Sequence, residues 1–283
     1  MFPIMVRWRG RRRSEHVEDR RGGGVGLAGG GIGLLVLIII GLICGVDPRM
    51  LFEVAQQTQP TTQPAGPPPA PGEDPAADFA ATILGTTEEA WGQIFAERGA
   101  TYEPPTLVLF TDMVRSGCGT ASSQTGPFYC PLDRKLYLDL GFFNELARMG
   151  GPGDFAAAYV IGHEVGHHVQ NLAGTADEVR SMQQRGGAAE ANALSVALEL
   201  QADCYAGVWA AHANRTQTFL ELGDVEEGLA AAAAIGDDRL QRNAGRAVQP
   251  ESFTHGSSAQ RQQWLDAGLE SGQPETCDTF GRG

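Results

Sequence analysis

The body of this chain lacks clustered basic residues. Residues 1 to 21 carry seven Arg against three acids, a local +4 within an overall −13, which leaves −17 for everything after them. Phosphate contacts require grouped Lys and Arg, so residues 47 to 283 do not read as a nucleic-acid-binding surface. A Gly-x-Ser-x-Gly elbow is also missing, which argues against a serine hydrolase built on that strained turn. Internal repeats are not apparent. Histidine is scarce, six in all, yet three fall between positions 163 and 168. Cysteine is scarce too: Cys44 lies in an apolar segment, leaving Cys118, Cys130, Cys204 and Cys277.

Charge is absent altogether from residues 22 to 46, which end in the apolar run from Ile32 to Val46. About 20 predominantly apolar residues span a bilayer as a helix, and Arg-rich flanks stay on the cytoplasmic side. The expectation is a single crossing with the N-terminus inside and the rest of the chain outside. It divides the chain into a basic cytoplasmic tail (1–21), a transmembrane anchor (22–46), a Pro/Gln/Thr-rich linker (47–77) and a folded domain (78–283). A cleaved signal peptide is the rival, but no small-x-small site follows the apolar core and the segment before it is long. A lipid-modified Cys44 is a further alternative, weakened by the bulk of Ile43. Gly24-Val-Gly-Leu-Ala-Gly29 fits the dinucleotide-binding fingerprint in letters only, because no strand precedes it.

Outside the cytoplasm four cysteines are normally oxidised, and four permit three connectivities. Cys118 and Cys130 are twelve apart across a Gly- and Ser-rich stretch, so local pairing is the first guess and leaves Cys204 with Cys277. From Asp78 the pattern turns globular. Phe79, Ile83, Trp91, Ile94 and Phe95 recur at near-helical spacing through Arg98, and residues 106–111 and 135–139 read as strands. Helix-forming stretches follow at 154–173, 188–213, 224–235 and, after a Ser257-Ser258 cap signal, 258–271. The predicted fold class is α+β, helix-dominated with a small β-sheet, preceded by the one transmembrane helix and the linker.

His163-Glu164-Val165-Gly166-His167 lies inside one of those helical stretches with no proline. Positions i and i+4 share a helix face, so two imidazoles are presented to one ion while Glu164 can reach a water on that ion without ligating it. The pattern points to Zn2+ and hydrolysis. A third ligand is needed, and Glu199-Leu-Gln-Ala-Asp203 is the candidate. Its two acids again share a face, on a helix otherwise rich in Leu, Val and Trp where an unpaired carboxylate is costly. Glu199 is expected to bind metal and Asp203 to hold a ligating imidazole ring from behind. His255, in the loop before the last helix, is a candidate donor to an oxyanion. Tyr159, one turn before His163, is a weaker candidate for the same role. His168 points about a quarter-turn away from His167 and is not expected to ligate, and Gly166 reads as a point of close backbone approach.

These segments resemble the bacterial neutral zinc metallopeptidases, membrane-anchored proteins of the zincin group. The resemblance is carried by Arg11-Arg-Arg-Ser14 with Val17-Glu-Asp-Arg-Arg21, by Gly126-Pro-Phe-Tyr-Cys-Pro131, and by Tyr137-Leu-Asp139 with Phe142-Phe143. It extends through Tyr159 to Gln170, Glu199 to Cys204, Ile235-Gly-Asp-Asp238, and His255-Gly256 with Gln260-Arg261. It implies a peptidase acting on a peptide or protein substrate at the bacterial inner membrane. It also implies a glutamate third ligand in a Glu-x-x-x-Asp pattern, which supports Glu199 and Asp203. The function so read is a zinc-dependent endopeptidase using a metal-activated water, with Glu164 as general base. The alternative, a zinc-stabilised extracytoplasmic binding module that cleaves nothing, is opposed by the presence of Glu164.

Overall fold

The sheet begins on a strand that the sequence pattern hides. The computed structural model describes residues 6–21 and 72–281, and in it Val17–Asp19 (β1) runs parallel to Thr106–Phe110 (β2), with Val17 opposite Leu107. Between them in the chain lies the helix Pro75–Glu97 (α1), whose start is fixed by Asp74: its side chain accepts from the amides of Ala76 and Ala77, and Pro75 fills a position that needs no donor. Met113–Ser116 (β3) and Gly119–Ser122 (β4) form a separate antiparallel hairpin. Phe128–Cys130 (β5) and Lys135–Asp139 (β6) complete the main sheet, in the order β1-β2-β6-β5. β2 lies between two parallel partners, and β5 is antiparallel to β6. That interior place explains the unbroken apolar run Leu107 to Phe110, because such a strand is covered on both faces.

Seven helices follow: Phe142–Met149 (α2), Asp154–Leu172 (α3), Thr175–Gln183 (α4), Ala188–Gln217 (α5), Asp224–Ala234 (α6), Asp237–Asn243 (α7) and Ser258–Ser271 (α8). The long apolar helices stand where alanine-rich sequence predicts them, and Ser257 caps α8 in a box with Gln260. The core is shared by α1, the sheet, α3 and α5, through Ile83, Trp91, Leu107, Leu138, Phe155, Val165 and Trp209. Glycine sets how closely α3 and α5 approach. A Cβ on Gly166 would lie 2.8 Å from the Ala202 carbonyl oxygen, and one on Gly162 would lie 2.6 Å from the Trp209 ring. Both contacts would force the helices apart, so these positions bring α5 against the His163–His167 face.

The disulfides are Cys118–Cys130 and Cys204–Cys277, with Cα separations of 5.8 and 5.6 Å. The first ties the turn of the β3–β4 hairpin to β5. The second fastens the C-terminal segment to α5.

The membrane reading needs correction. Among the described residues no helix is long and apolar enough to cross a membrane, so the transmembrane helix in the expected fold and the single-pass topology derived from it are not supported. The apolar segment 22–46 itself lies outside the described residues. The physical reason reaches back to the basic segment. Val6 is buried in the core, the Arg7 amide donates to the Phe219 carbonyl at 3.0 Å, and the Ser14 amide donates to the Ala81 carbonyl at 2.9 Å. Arg12 bridges Glu88 and Glu89 of α1 at 2.6 and 3.0 Å. Residues 6–19 and 72–281 thus share one sheet and one core, whereas a single crossing between them would leave them on opposite sides of a bilayer. Three of the Arg residues that read as a topological flank, Arg7, Arg12 and Arg13, pair with acids of the domain instead.

Candidate metal centre

On α3 the i, i+4 spacing sets the His163 and His167 rings edge to face at a centroid distance of 4.7 Å. Across from them α5 presents Glu199, with Oε2 at 3.2 Å from His163 Nε2 and Oε1 at 3.4 Å from His167 Nε2. One donor atom from each of the three lies within 4.8 Å of the others. The other ring nitrogens are held from behind. Asp203 Oδ1 lies 2.8 Å from His163 Nδ1, and Gln170 Oε1 lies 2.9 Å from His167 Nδ1. With each Nδ1 engaged by an oxygen, the two Nε2 atoms are the ones that face Glu199 and would be the metal-binding nitrogens.

Both supports are anchored in turn. Asp203, fully buried on α5, accepts from Tyr159 Oη at 2.6 Å and takes a two-pronged pairing with Arg261 of α8, each prong 2.8 Å. Gln170 donates to the Leu198 carbonyl at 2.7 Å and to Gln201 Oε1 at 3.1 Å, and Gln201 donates to the Cys277 carbonyl at 2.9 Å. The disulfide at Cys204 therefore fastens the end of a chain of contacts that starts at His167.

Charge follows the same plan. Burial opposes ionisation of Glu199, but His167 and His163 outweigh it and hold the carboxyl well below the usual range. Asp203 is likewise lowered against its burial, by Arg261 and His163. Both ring nitrogens of His163 face carboxylates. Although burial disfavours a charged ring, Asp203 and Glu199 raise its pKa to about 10. His167 is raised by Glu199 against the same opposition. Glu164 is pushed upward by burial, with His163 and His167 pulling the other way.

Two imidazoles whose Nδ1 atoms are already committed, together with a carboxylate, match the donor set of a zinc site that keeps a position open. That open side is a cleft of about 720 Å³, lined by His163, Glu164, His167, Glu199 and His255 together with Phe128, Phe142, Met149, Val160 and Ile235. His255 stands on the wall of this cleft, in a loop whose Thr254, His255 and Gly256 amides all donate to Asp237 Oδ2 at 2.7, 2.7 and 3.1 Å. Tyr159 is fully buried in the Asp203 network. His168 turns away, with Nε2 at 2.7 Å from the Glu103 carbonyl and Nδ1 at 3.0 Å from Tyr129 Oη, and burial lowers its pKa to about 4. The sequence reading passed over Arg261, Gln170 and Asp237 as individual residues.

A family model described as "putative neutral zinc metallopeptidase" matches residues 6–280. The Escherichia coli K12 protein YpfJ is 48% identical over 291 residues, spanning 98% of this chain and 99% of its own. The Mycobacterium tuberculosis H37Rv protein Rv2575 is 46% identical over 190 residues, 63% of each chain. Both relatives carry the description of uncharacterized proteins. No solved structure matches. On the strength of a match from Val6 to Phe280, this chain belongs to the neutral zinc metallopeptidase family that the model describes.

Proposed function

We propose that this chain is a zinc-dependent endopeptidase that hydrolyses peptide bonds of a peptide or protein substrate. One observation carries the reading: His163 Nε2, His167 Nε2 and the Glu199 carboxylate converge within 4.8 Å on the floor of a cleft that also exposes Glu164. His163, His167 and Glu199 would hold Zn2+. Zinc, when bound by such a set, lowers the pKa of water to about 7 and polarises a carbonyl.

The chain's own groups supply the rest. Glu164 follows His163 directly on α3, so it faces the same cleft without sharing the face that ligates. It takes a proton from the attacking water and returns it to the leaving amine. His255 donates a hydrogen bond to the carbonyl oxygen as it gains charge. Asp203 and Gln170 fix the two imidazole tautomers, and Arg261 keeps Asp203 charged and in place. The cleft walls at Phe142, Met149, Val160 and Ile235 are apolar, which suits peptide segments with apolar side chains.

The test separates metal binding from chemistry. Zinc is measured by elemental analysis and peptide-library cleavage by mass spectrometry on the wild type, Glu164→Gln and Glu199→Ala. Glu164→Gln is expected to keep zinc and lose hydrolysis by about 10²- to 10⁴-fold, the usual weight of a general base. Glu199→Ala is expected to lose the metal and the activity together. Undiminished cleavage by Glu164→Gln would overturn the proposed mechanism, and full zinc in Glu199→Ala would move the third ligand elsewhere.

A further inference from the structure

A second group of carboxylates gathers at the start of α3. Asp154 opens that helix, Asp224 opens α6 and Glu227 lies about one turn further along α6. One oxygen from each lies within 4.8 Å of the other two. Helix N-termini attract carboxylates, and two of the contacts are ordinary ones of that kind. Glu227 Oε2 accepts from the Phe155 amide at 3.1 Å, and Asp224 Oδ2 accepts from the Glu221 amide at 2.8 Å.

Capping does not account for the remaining oxygens. Oδ1 of Asp224 and both carboxylate oxygens of Asp154 are buried without a close hydrogen bond among the described residues, the Val6 and Phe155 amides approaching Asp154 only loosely. Asp224 is only 1% exposed. Nor does any described Arg, Lys or His side chain pair with one of the three acids. A buried carboxylate left this way is costly unless it takes up a proton or a cation. The backbone is shaped around the cluster as well. Gly153 has φ 120, and a Cβ there would fall 2.0 Å from the Glu227 carboxyl, so a side chain at 153 would displace that carboxylate.

We infer that Asp154, Asp224 and Glu227 bind a calcium ion, at a site distinct from the metal centre and roughly 13 Å away along α3 by its rise per residue. The donors are all oxygen, the preference of a hard cation, with no imidazole or thiolate to favour zinc. Calcium–oxygen distances of about 2.3–2.6 Å allow two ligands to lie up to about 5 Å apart, which the cluster satisfies. Magnesium binds at about 2.0–2.1 Å and demands tighter octahedral geometry. The ion would join the N-terminus of the His163-bearing helix to α6 and to the loop before it, whose Phe219 carbonyl holds the Arg7 amide. It is a structural tie, not a second reaction centre.

Calcium binding is measured on the full-length protein by equilibrium dialysis with radioactive calcium, in buffer of constant zinc, alongside thermal unfolding with and without calcium. The wild type is expected to bind one calcium per chain saturably and to unfold at a higher temperature when calcium is present. Glu227→Gln, which keeps an acceptor for the Phe155 amide, and Asp224→Asn are each expected to weaken binding by more than about tenfold, since each removes a ligand and not an outer partner. Both should lose the thermal shift while zinc content stays at the wild-type value. Two results overturn the inference: no saturable calcium binding by the wild type, or binding that both variants leave unchanged. If the acids merely share a proton, the wild type shows no calcium shift, which also overturns it. Because zinc content is read separately, failure here is distinguishable from failure of the peptidase reading.

Discussion

The middle of α3 and its N-terminus both meet buried carboxylates, and the two sets behave in opposite ways. At the middle, Glu199 and Asp203 face His163, His167 and Arg261, and both carboxyls are held below their ordinary values although burial pushes them up. At the N-terminus, burial raises Asp154, Asp224 and Glu227 alike, Asp224 to about 6; backbone amides oppose it, and neighbouring acids push in the same direction as burial. Burial has one sign in both places. What differs is whether the fold supplies a cation side chain, so the fate of a buried carboxylate is decided by its neighbours and not by its depth.

Arg261→Met should separate the two regions most strongly. It removes the two-pronged partner of Asp203 and leaves a fully buried carboxylate with only His163 and Tyr159, a loss that typically costs about 3–5 kcal/mol of stability. Asp224→Asn in calcium-free protein should do the reverse, because it removes an uncompensated buried charge while an amide oxygen can still accept from Glu221. Chemical denaturation of the two variants beside the wild type reads both effects. Equal destabilisation by both would collapse the distinction. Arg261→Lys should recover only part of the loss, since an ammonium cannot span both Asp203 oxygens as the guanidinium fork does.

A smaller effect is expected from Asp203→Asn. The side chain keeps its shape, but the charge that orients His163 is gone, and changes of this kind typically cost about 10- to 100-fold in metal affinity or activity. Competition for zinc against a chromophoric chelator measures it. Wild-type affinity in this variant would mean that Asp203 serves the fold and not the His163 ring.

Some of this was legible in the chain and some was not, for physical reasons. A pattern with a fixed local period is readable. The His163–His167 and Glu199–Asp203 pairs share faces because the helix repeat makes them do so, and the apolar company of Glu199 marks its helix as one that is buried. Pairings across long separations carry no such mark. Ser258-Ala-Gln-Arg-Gln-Gln263 reads as a solvated polar face, and nothing local reveals that Arg261 is buried against Asp203, 58 positions earlier. Asp154 and Asp224 each read as an ordinary acid at a helix start, seventy residues apart. The N-terminal Arg cluster was misleading because a basic run beside an apolar one matches the membrane-flank pattern, whereas its partners Glu88 and Glu89 lie more than seventy positions away. The three-residue β1 offers too little alternation to be recognised at all.

The smallest predicted effect concerns the cleft wall. Asp237 holds the His255 loop through three amides and through Oδ1, which lies 3.2 Å from His255 Nδ1. Burial pushes the Asp237 carboxyl up, but hydrogen bonds from His255 and the loop amides keep it below its ordinary 3.8. Its contribution to stability is therefore complete above that value and is lost as pH falls below it. Asp237→Asn keeps an acceptor oxygen and loses the charge, so the loop should loosen without unfolding the domain. If His255 steadies the oxyanion as proposed, the cost is about 1 kcal/mol of positioning, roughly fivefold in kcat, with zinc content unchanged. Hydrogen exchange across residues 252–258 should quicken in the same variant. An unchanged kcat beside quickened exchange would show that the loop had been released without consequence for the reaction, and would remove His255 from the proposed mechanism.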